Sequence, residues 1–403
     1  MDTASSSAPP RLLFLDWVRI AAFALLVLYH VGMYYVRWDF HVKSPYASGA
    51  LEPFMRLSSP WRLGLLFLVS GAATSLMLAR RPAGLVRSRS KRLLLPLLCG
   101  MAVVVPPQSY LEVVEKFGYA GSYADFLRLY FEGHRGFCRE GRCLVLPTWN
   151  HLWFLPYLWV YTLGLWALCR LWPQALQRLA DRLGRSACWQ GPGLLLWPIV
   201  VLALLRLLLA ERFPTTHALL DDWANHAVYF GLFVLGAVLA RLPAIWPAMA
   251  ERRWLALGLG LAAWVLFVAC IRPFDGGMPP EWLRPALRGV YAVMQWCGIV
   301  AVLGFAARHW NREHPLRQRL SEAVFPVYIL HQTVLVVLAH ALQPLRWTPA
   351  LEGPLLVVAT FVLSFAGYEL LRRFGWLRPW FGMAASRQRA GITSPSRPAA
   401  KTR

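Results

Sequence analysis

Apolar stretches long enough to cross a membrane recur along almost the whole chain, from residue 11 to about residue 370. A helix needs about 20 apolar residues to span the roughly 30 Å hydrocarbon core of a bilayer. The chain has 403 residues, of which 57% are hydrophobic, and this fraction is too high for a soluble domain. We predict an all-α integral membrane protein built as a bundle of about ten transmembrane helices. Their predicted centres lie near residues 23, 69, 100, 160, 202, 233, 262, 298, 333 and 362.

Basic residues are concentrated in every second connection between the predicted spans. The connection between the second and third spans contains Arg80, Arg81, Arg87, Arg89, Lys91 and Arg92. Loops rich in Lys and Arg stay on the cytoplasmic side of a membrane, so we expect both termini to be cytoplasmic. Residues 1–11 then form a cytoplasmic N-terminus, residues 12–372 the transmembrane domain, and residues 373–403 a basic, disordered cytoplasmic tail.

The net charge of +22 has the same origin. A surplus of positive charge that is spread over alternate loops is explained by membrane topology. We therefore expect no nucleic acid among the partners. The lipid bilayer is the partner that this distribution favours, and the basic tail is suited to contact with anionic lipid. The sequence leaves the oligomeric state open.

The longest predicted outer loop, about residues 108–150, contains two closely spaced cysteines in the segment "GFCREGRC". In an oxidising compartment Cys138 and Cys143 are placed to form a disulfide, although free thiols fit the spacing equally well. Motifs with metal-ligand spacing, such as HExxH or paired CxxC, do not occur in the sequence. We therefore expect no metal site.

The first predicted span carries Asp16, Arg19 and His30, three ionisable residues that are expensive inside a bilayer. At 100° per residue they share one stripe of the helix, and about 16 Å separates Arg19 from His30 along the axis. They could line the inner and outer ends of one internal passage. Alternatively, Asp16 and Arg19 simply pair near the cytoplasmic interface, and His30 bonds a backbone carbonyl.

Five segments, in order, resemble the acyltransferase family 3 membrane proteins, and together they cover about residues 11–370. The first, "LDWVRIAAFALLVLYH", matches the signature of that family's opening helix, an Arg and a His with ten residues between them. The others are "FLVSGAATS", the basic RxxR segment "RSKRLLLPL", "HLWFLPYL" and "PVYILHQTVLVV". Within the family, the segments are similar to members that succinylate periplasmic glucans.

The resemblance implies a membrane-bound O-acyltransferase in a bacterial inner membrane. Such a protein moves an acyl group, here succinyl or acetyl, from a cytoplasmic acyl-CoA to hydroxyls of a periplasmic carbohydrate or glucan. Acyl-CoA is then a co-substrate, and no cofactor is bound permanently. The alternative is a transporter or flippase without covalent chemistry, because intramembrane His and Arg residues also mark proton-coupled pathways.

The resemblance also implies roles for the residues that match its motifs. Arg89 and Arg92 of the RxxR segment would contact the phosphates of CoA, since guanidinium groups bind phosphate in a bidentate fashion and a helix N-terminus favours anions. We expect His30 to act as the general base, with an acyl-His intermediate as the rival mechanism. Arg19, together with Asp16, would hold the donor or balance its charge.

In the ninth span, Tyr328, His331 and Gln332 share one helix face at positions i, i+3 and i+4. They are predicted to bond the donor carbonyl or to orient His30. A polar contact between helices is the alternative.

The acceptor would enter from the outer side. Asn150, His151 and Trp153 lie at the outer mouth of span four, where a sugar ring can stack on indole and bond polar groups. Interfacial anchoring is the alternative role for Trp153. Asn225 and His226, which enter span six from the same side, are further candidates for substrate binding.

Overall fold

The computed structural model describes residues 12–80, 83–139, 141–186, 189–274 and 277–384. Thirteen α-helices form most of this part of the chain: α1 (Leu13–Tyr35), α2 (Glu52–Arg80), α3 (Leu85–Cys99), α4 (Pro106–Phe117), α5 (Tyr123–Glu132), α6 (Phe154–Leu171), α7 (Ala175–Arg185), α8 (Gly193–Leu209), α9 (Trp223–Leu239), α10 (Ile245–Ile271), α11 (Arg284–His309), α12 (Pro315–Leu342) and α13 (Pro349–Leu371). Strands β1 (Cys138–Arg139) and β2 (Arg142–Cys143) pair as a short antiparallel hairpin. The predicted N-terminus, residues 1–11, lies outside the described residues.

Seven helical segments are long and apolar enough to cross a membrane, which confirms the predicted all-α membrane fold. They are Leu13–Tyr35, Glu52–Ala79, Asn150–Leu171, Ile245–Phe274, Arg284–His309, Pro315–Leu345 and Pro349–Leu371. An eighth span results if α3 and α4, bent by 43°, are counted together. Helices α8 and α9 have 17 residues each, about 26 Å at 1.5 Å per residue, which is short of the hydrocarbon thickness. Ten spans and cytoplasmic termini therefore stay predictions.

The bend between α3 and α4 lies at a π-helical turn, Gly100–Val104, which precedes the first residue of α4, Pro106. Proline has no N–H to continue the hydrogen-bond ladder of a helix, and a π-turn is a common point of irregularity. Helix α4 therefore leaves the direction of α3 and packs against α12. This places Gln108 and Glu112 beside the polar face of α12, in a region for which the sequence predicted a loop.

The rest of the predicted outer loop is also structured. Helix α5 begins at a capping box in which Ser122 and Asp125 bond each other's backbone N–H groups, satisfying donors that the helix start leaves free. Its buried residues Phe126 and Tyr130 form a small core with α4. Cys138 and Cys143 are joined by a disulfide across the hairpin. Of the two alternatives that the spacing allowed, the structure has the disulfide and not the free thiols.

Helices α2 and α9 approach each other closely through two glycines. A methyl group at Gly71 would overlap the Phe233 carbonyl oxygen, and one at Gly236 would overlap the Leu68 carbonyl oxygen. Small residues let membrane helices bring their backbones together and gain van der Waals contact. The pair of glycines therefore fixes the position of α2 in the bundle.

Part of the predicted C-terminal tail is ordered. Residues Arg378–Phe381 form a 3₁₀ turn that contacts α3 and α12. Arg378 forms an ion pair with Glu322 at 2.5 Å, and Phe381 and Met383 are buried. Residues 385–403 lie outside the described residues.

Candidate active site

Two histidines from neighbouring helices form the centre of the candidate site. His30 lies near the end of α1 and His331 in the middle of α12, and these helices pack together. The His30 Nδ1 and His331 Nε2 atoms are 2.8 Å apart. The rings are nearly coplanar, at 13°, with 5.0 Å between their centroids. This is the geometry of an in-plane N–H···N hydrogen bond, so His30 contacts a side chain rather than a backbone carbonyl.

A backbone contact fixes the tautomers of this pair. His331 is fully buried, and its Nδ1 lies 2.6 Å from the carbonyl oxygen of Tyr328. A carbonyl only accepts, so in the neutral ring His331 Nδ1 carries the proton and His331 Nε2 is the acceptor. His30 Nδ1 is then the donor, which leaves the lone pair of His30 on Nε2. His30 lines an open cleft, so a substrate can reach the ring that carries this lone pair.

A third histidine, His151, packs against the pair from the 3₁₀ turn that enters α6. Its ring centroid is 5.2 Å from that of His331. His151 Nε2 donates to the Ile329 carbonyl oxygen at 3.1 Å, and its Nδ1 is buried without a hydrogen-bond partner. Tyr328 donates its hydroxyl proton to the His151 carbonyl oxygen at 2.6 Å. The Tyr328 hydroxyl therefore makes a polar contact between α12 and the start of α6, and it does not point toward the carbonyl of an acyl donor.

A polar network that includes two residues missed by sequence analysis, His41 and Glu112, continues along the cleft. Gln332 Nε2 donates to His41 Nε2 at 2.8 Å. His41 Nδ1 then donates to the Glu112 carboxylate at 2.6 Å, and Lys116 bonds the other carboxylate oxygen at 2.7 Å. Both ring nitrogens of His41 are thus engaged. His41 is held in place by this network, whereas His30 keeps a nitrogen for chemistry.

The cleft beside His30 has a volume of ≈ 340 Å³, a size that suits a small-molecule or sugar ligand. Asn150 lines it and donates to Gln108 at 3.2 Å. Trp153 also lines it, but one indole face is covered by His217, with 4.3 Å between ring centroids. Burial lowers the pKa of His217 from its ordinary value of 6.5, so this ring stays neutral at pH 7. Trp149 is a further aromatic residue in the wall.

At the opposite end of α1, Asp16 forms ion pairs with Arg19 at 3.4 Å and with Arg317 of α12 at 2.5 Å. Asp16 and Arg317 line a second cavity, of ≈ 310 Å³. Asp16 and His30 are fourteen positions apart along the helix, about 21 Å at 1.5 Å per residue. Asp16, which the sequence analysis grouped with the catalytic residues, therefore lies too far from His30 to touch the same reacting atoms.

The two arginines of the RxxR segment lie near Arg19. All three guanidinium groups are within electrostatic range of one another. Arg89 donates to Thr74 at 2.8 Å, while its Nε is buried without a partner. Arg92 is exposed. Like charges repel, so the cluster is better stabilised when an anion lies between its members.

Residues 12–369 match the profile of an acyltransferase domain, that of acyltransferase family 3. The chain belongs to acyltransferase family 3. No curated protein and no solved structure matches this acyltransferase. The narrower resemblance to members that succinylate periplasmic glucans stays a prediction.

The cleft beside His30 and the cavity beside Asp16 share no lining residue among the described residues of this acyltransferase. Arg19, which pairs with Asp16, lies about 16 Å from His30 along α1.

Asn225 and His226 are not among the residues that line the cleft of the acyltransferase. Asn225 donates to Asp222 at 3.0 Å, and the Tyr161 hydroxyl lies 2.9 Å from His226 Nδ1. These bonds hold the connection between α8 and α9, which carries His217 into the cleft wall. The structure therefore gives the two residues a supporting position instead of a place against a ligand.

Proposed function

We propose that this acyltransferase moves an acyl group from a cytoplasmic acyl-CoA to a hydroxyl of a carbohydrate outside a bacterial inner membrane. The oriented pair of His30 and His331 carries the proposal, because it supplies a base with a free Nε2 beside a polar cleft. Acyl-CoA is a co-substrate that binds and leaves in each cycle.

In the proposed reaction, an acceptor hydroxyl donates to His30 Nε2 and its oxygen attacks the thioester carbonyl. The proton passes to Nε2 as the new C–O bond forms. The C–S bond then breaks, and the CoA thiolate leaves and takes up the proton from His30, so that an ester and free CoA result. His331 Nε2 accepts from His30 Nδ1 throughout and stabilises the imidazolium while it exists. A positioned base of this kind contributes about 10²- to 10⁴-fold to the rate.

The donor would be held at the inner end of α1. Arg89 has an unpartnered buried N–H and Arg92 is exposed nearby, and both can bind the phosphates of CoA. Arg19 adds positive charge on the route from there to His30. In this proposal the anionic part of CoA lies on the inner side, and its thioester reaches outward.

The acceptor would be held in the outer cleft. His151 Nδ1 is buried without a partner and can accept from a sugar hydroxyl. Asn150 and Trp149 lie in the same wall and offer an amide and an indole face. The resemblance to glucan-modifying members supports a glucan as acceptor and succinyl or acetyl as the acyl group.

The test uses the full-length protein in lipid nanodiscs with radiolabelled acetyl-CoA or succinyl-CoA and β-glucan oligosaccharides. We expect an alkali-labile ester on the sugar, and we expect His30→Ala to lower its formation about 10²- to 10⁴-fold. His309→Ala is the matched control, since His309 is exposed at the end of α11 and should leave the rate unchanged.

Ester formation that persists at the same rate in His30→Ala would contradict the role of His30. Movement of the sugar or of acyl-CoA across a vesicle membrane without ester formation would instead support the transporter alternative. Mass spectrometry of protein quenched with donor alone separates the two mechanisms. An acyl group on His30 indicates a covalent intermediate, and its absence indicates general-base catalysis.

A further inference from the structure

A cavity of ≈ 670 Å³ lies between the beginning of α2, the end of α10 and the beginning of α11. Its lining is of two kinds. Arg37, Arg56 and Arg272 supply positive charge, while α10 and α11 supply apolar side chains such as Ile271 and Leu287. We call this cavity the arginine pocket. None of its lining residues belongs to the cleft beside His30 or to the cavity beside Asp16, so the proposed reaction does not explain it.

The arginine pocket has more positive charge than its own carboxylate can balance. The buried Glu52 lies between two of the arginines, with Oε1 3.4 Å from Arg37 Nε and Oε2 3.7 Å from Arg56 Nη2. Arg272 forms no ion pair with a carboxylate in the part of the chain that the structure describes. One carboxylate thus serves three guanidinium groups, and the lining has a net charge of two positive units. Because like charges repel, an anion between these groups would stabilise the pocket.

Two of the guanidinium groups are held in place by their neighbours. A methyl group at Gly49 would overlap the Arg37 Nη2 atom, so Arg37 packs directly against the backbone of that glycine. The Arg56 guanidinium carbon lies 4.8 Å from the Trp38 ring centroid, a cation–π contact that fixes the orientation of the charge. The pocket is therefore preorganised for an anion and need not assemble around it.

The position of the arginine pocket along α10 corresponds to the headgroup level of a membrane. Arg253, near the beginning of α10, and Arg272, just after its end, are 19 positions apart. At 1.5 Å per residue this is about 28 Å, close to the roughly 30 Å thickness of the hydrocarbon core. Only 11% of the most apolar stretch of α10 is buried, and side chains such as Val265 and Leu266 are exposed. A lipid-facing helix surface therefore leads to the pocket.

We infer that the arginine pocket binds the phosphate of an anionic membrane phospholipid, of the phosphatidylglycerol class, whose acyl chains lie along α10. Guanidinium groups bind phosphate oxygens in a bidentate fashion, and basic pockets between membrane helices bind anionic headgroups. The apolar lining favours a lipid over a soluble anion, because Phe267, Val268 and Ile271 suit the glycerol backbone and the first methylene groups. Arg272, which has no carboxylate partner among the described residues, is the principal contact. The inference does not rest on acyl transfer.

The test measures lipid binding to the delipidated full-length protein in neutral detergent by native mass spectrometry. Dioleoylphosphatidylglycerol and the zwitterionic dioleoylphosphatidylcholine are titrated separately. We expect phosphatidylglycerol to bind more tightly, and we expect Arg272→Gln to weaken it about fivefold, the effect of one basic residue on binding to an anionic headgroup. Arg56→Gln combined with Arg272→Gln should weaken it about 25-fold. Arg272→Lys keeps the charge and should retain most of the binding, which separates a loss of charge from a loss of fold.

Arg212→Gln is the matched control. Arg212 is exposed in the connection between α8 and α9 and does not line the pocket, so its replacement should leave phosphatidylglycerol binding unchanged. Equal binding of the two lipids by the wild type overturns the inference, and so does unchanged phosphatidylglycerol binding in the variant that lacks both Arg56 and Arg272. An equal loss in Arg212→Gln also overturns it, because the effect would then belong to surface charge in general.

A soluble phosphate ester distinguishes a lipid from a free anion. sn-Glycerol 3-phosphate has the headgroup phosphate without the acyl chains, and we expect it not to displace phosphatidylglycerol at an equal concentration. Displacement at that concentration would show that the pocket takes a soluble phosphate, and the lipid inference would be wrong. These measurements detect binding alone, so their outcome is independent of whether any acyl-CoA yields an ester.

Discussion

Replacement of His331 by phenylalanine tests the orientation of His30 without emptying the space that the ring fills. The variant removes the acceptor that lies 2.8 Å from His30 Nδ1. When His30 is protonated during turnover, this hydrogen bond is charge-assisted and contributes about 1.5–3 kcal/mol. A loss of that size corresponds to roughly a 10- to 150-fold decrease in kcat.

The measurement is a steady-state assay of ester formation, with kcat and the KM for acyl-CoA determined separately. We expect kcat to fall while this KM changes little, because the inner arginines that would hold CoA lie about 16 Å from His30 along α1. His331→Gln, which keeps an acceptor oxygen, should retain more activity than His331→Phe. Thermal stability measured in parallel shows whether each variant is folded.

The double variant His30→Ala with His331→Phe sharpens the test. If His331 acts through His30, the double variant should be no slower than His30→Ala alone. Independent, multiplicative losses would refute the reasoning, and so would a wild-type kcat in folded His331→Phe.

Three further predictions concern the fold. Gly71→Ala should destabilise the protein by about 1–3 kcal/mol in thermal unfolding because the methyl meets the α9 backbone, whereas Gly231→Ala, with open space around it, should not. Replacing Cys138 and Cys143 by serine should make the outer hairpin more sensitive to protease while ester formation is unchanged, since neither cysteine lines the cleft. Burial lowers the pKa of His217 below 6.5, so the unfolded state binds more protons and stability should fall as pH drops below 6.5; His217→Phe should remove this component of the pH dependence.

The membrane helices could be predicted from the sequence because a bilayer imposes a minimum length on every apolar run. Nine of the ten predicted centres fall within an α-helix of the structure, and the tenth, residue 100, falls in the π-helical turn between α3 and α4. The bend between α3 and α4 was missed, since the apolar pattern continues through it and only tertiary packing sets its direction. The order within residues 108–150 was missed for a related reason: α5 and the hairpin are amphipathic or polar, and they resemble a loop in composition.

Only those residues of the candidate site that share a helix face could be predicted from the sequence. His30 and His331 follow from helical spacing and from the resemblance. His41 and Glu112 do not, because a long-range contact joins a loop residue to a helix 71 positions away.

The hydrogen-bonded pair of His30 and His331 ends at the backbone carbonyl oxygen of Tyr328. This determines whether turnover can move protons across the bacterial inner membrane in which we propose the protein works. An amide oxygen does not relay protons at neutral pH. A proton taken up by His30 therefore cannot travel through His331 toward the interior, and it returns to the departing thiolate. Turnover through this pair should leave the pH gradient across the membrane intact, which proteoliposomes loaded with a pH-sensitive dye would test.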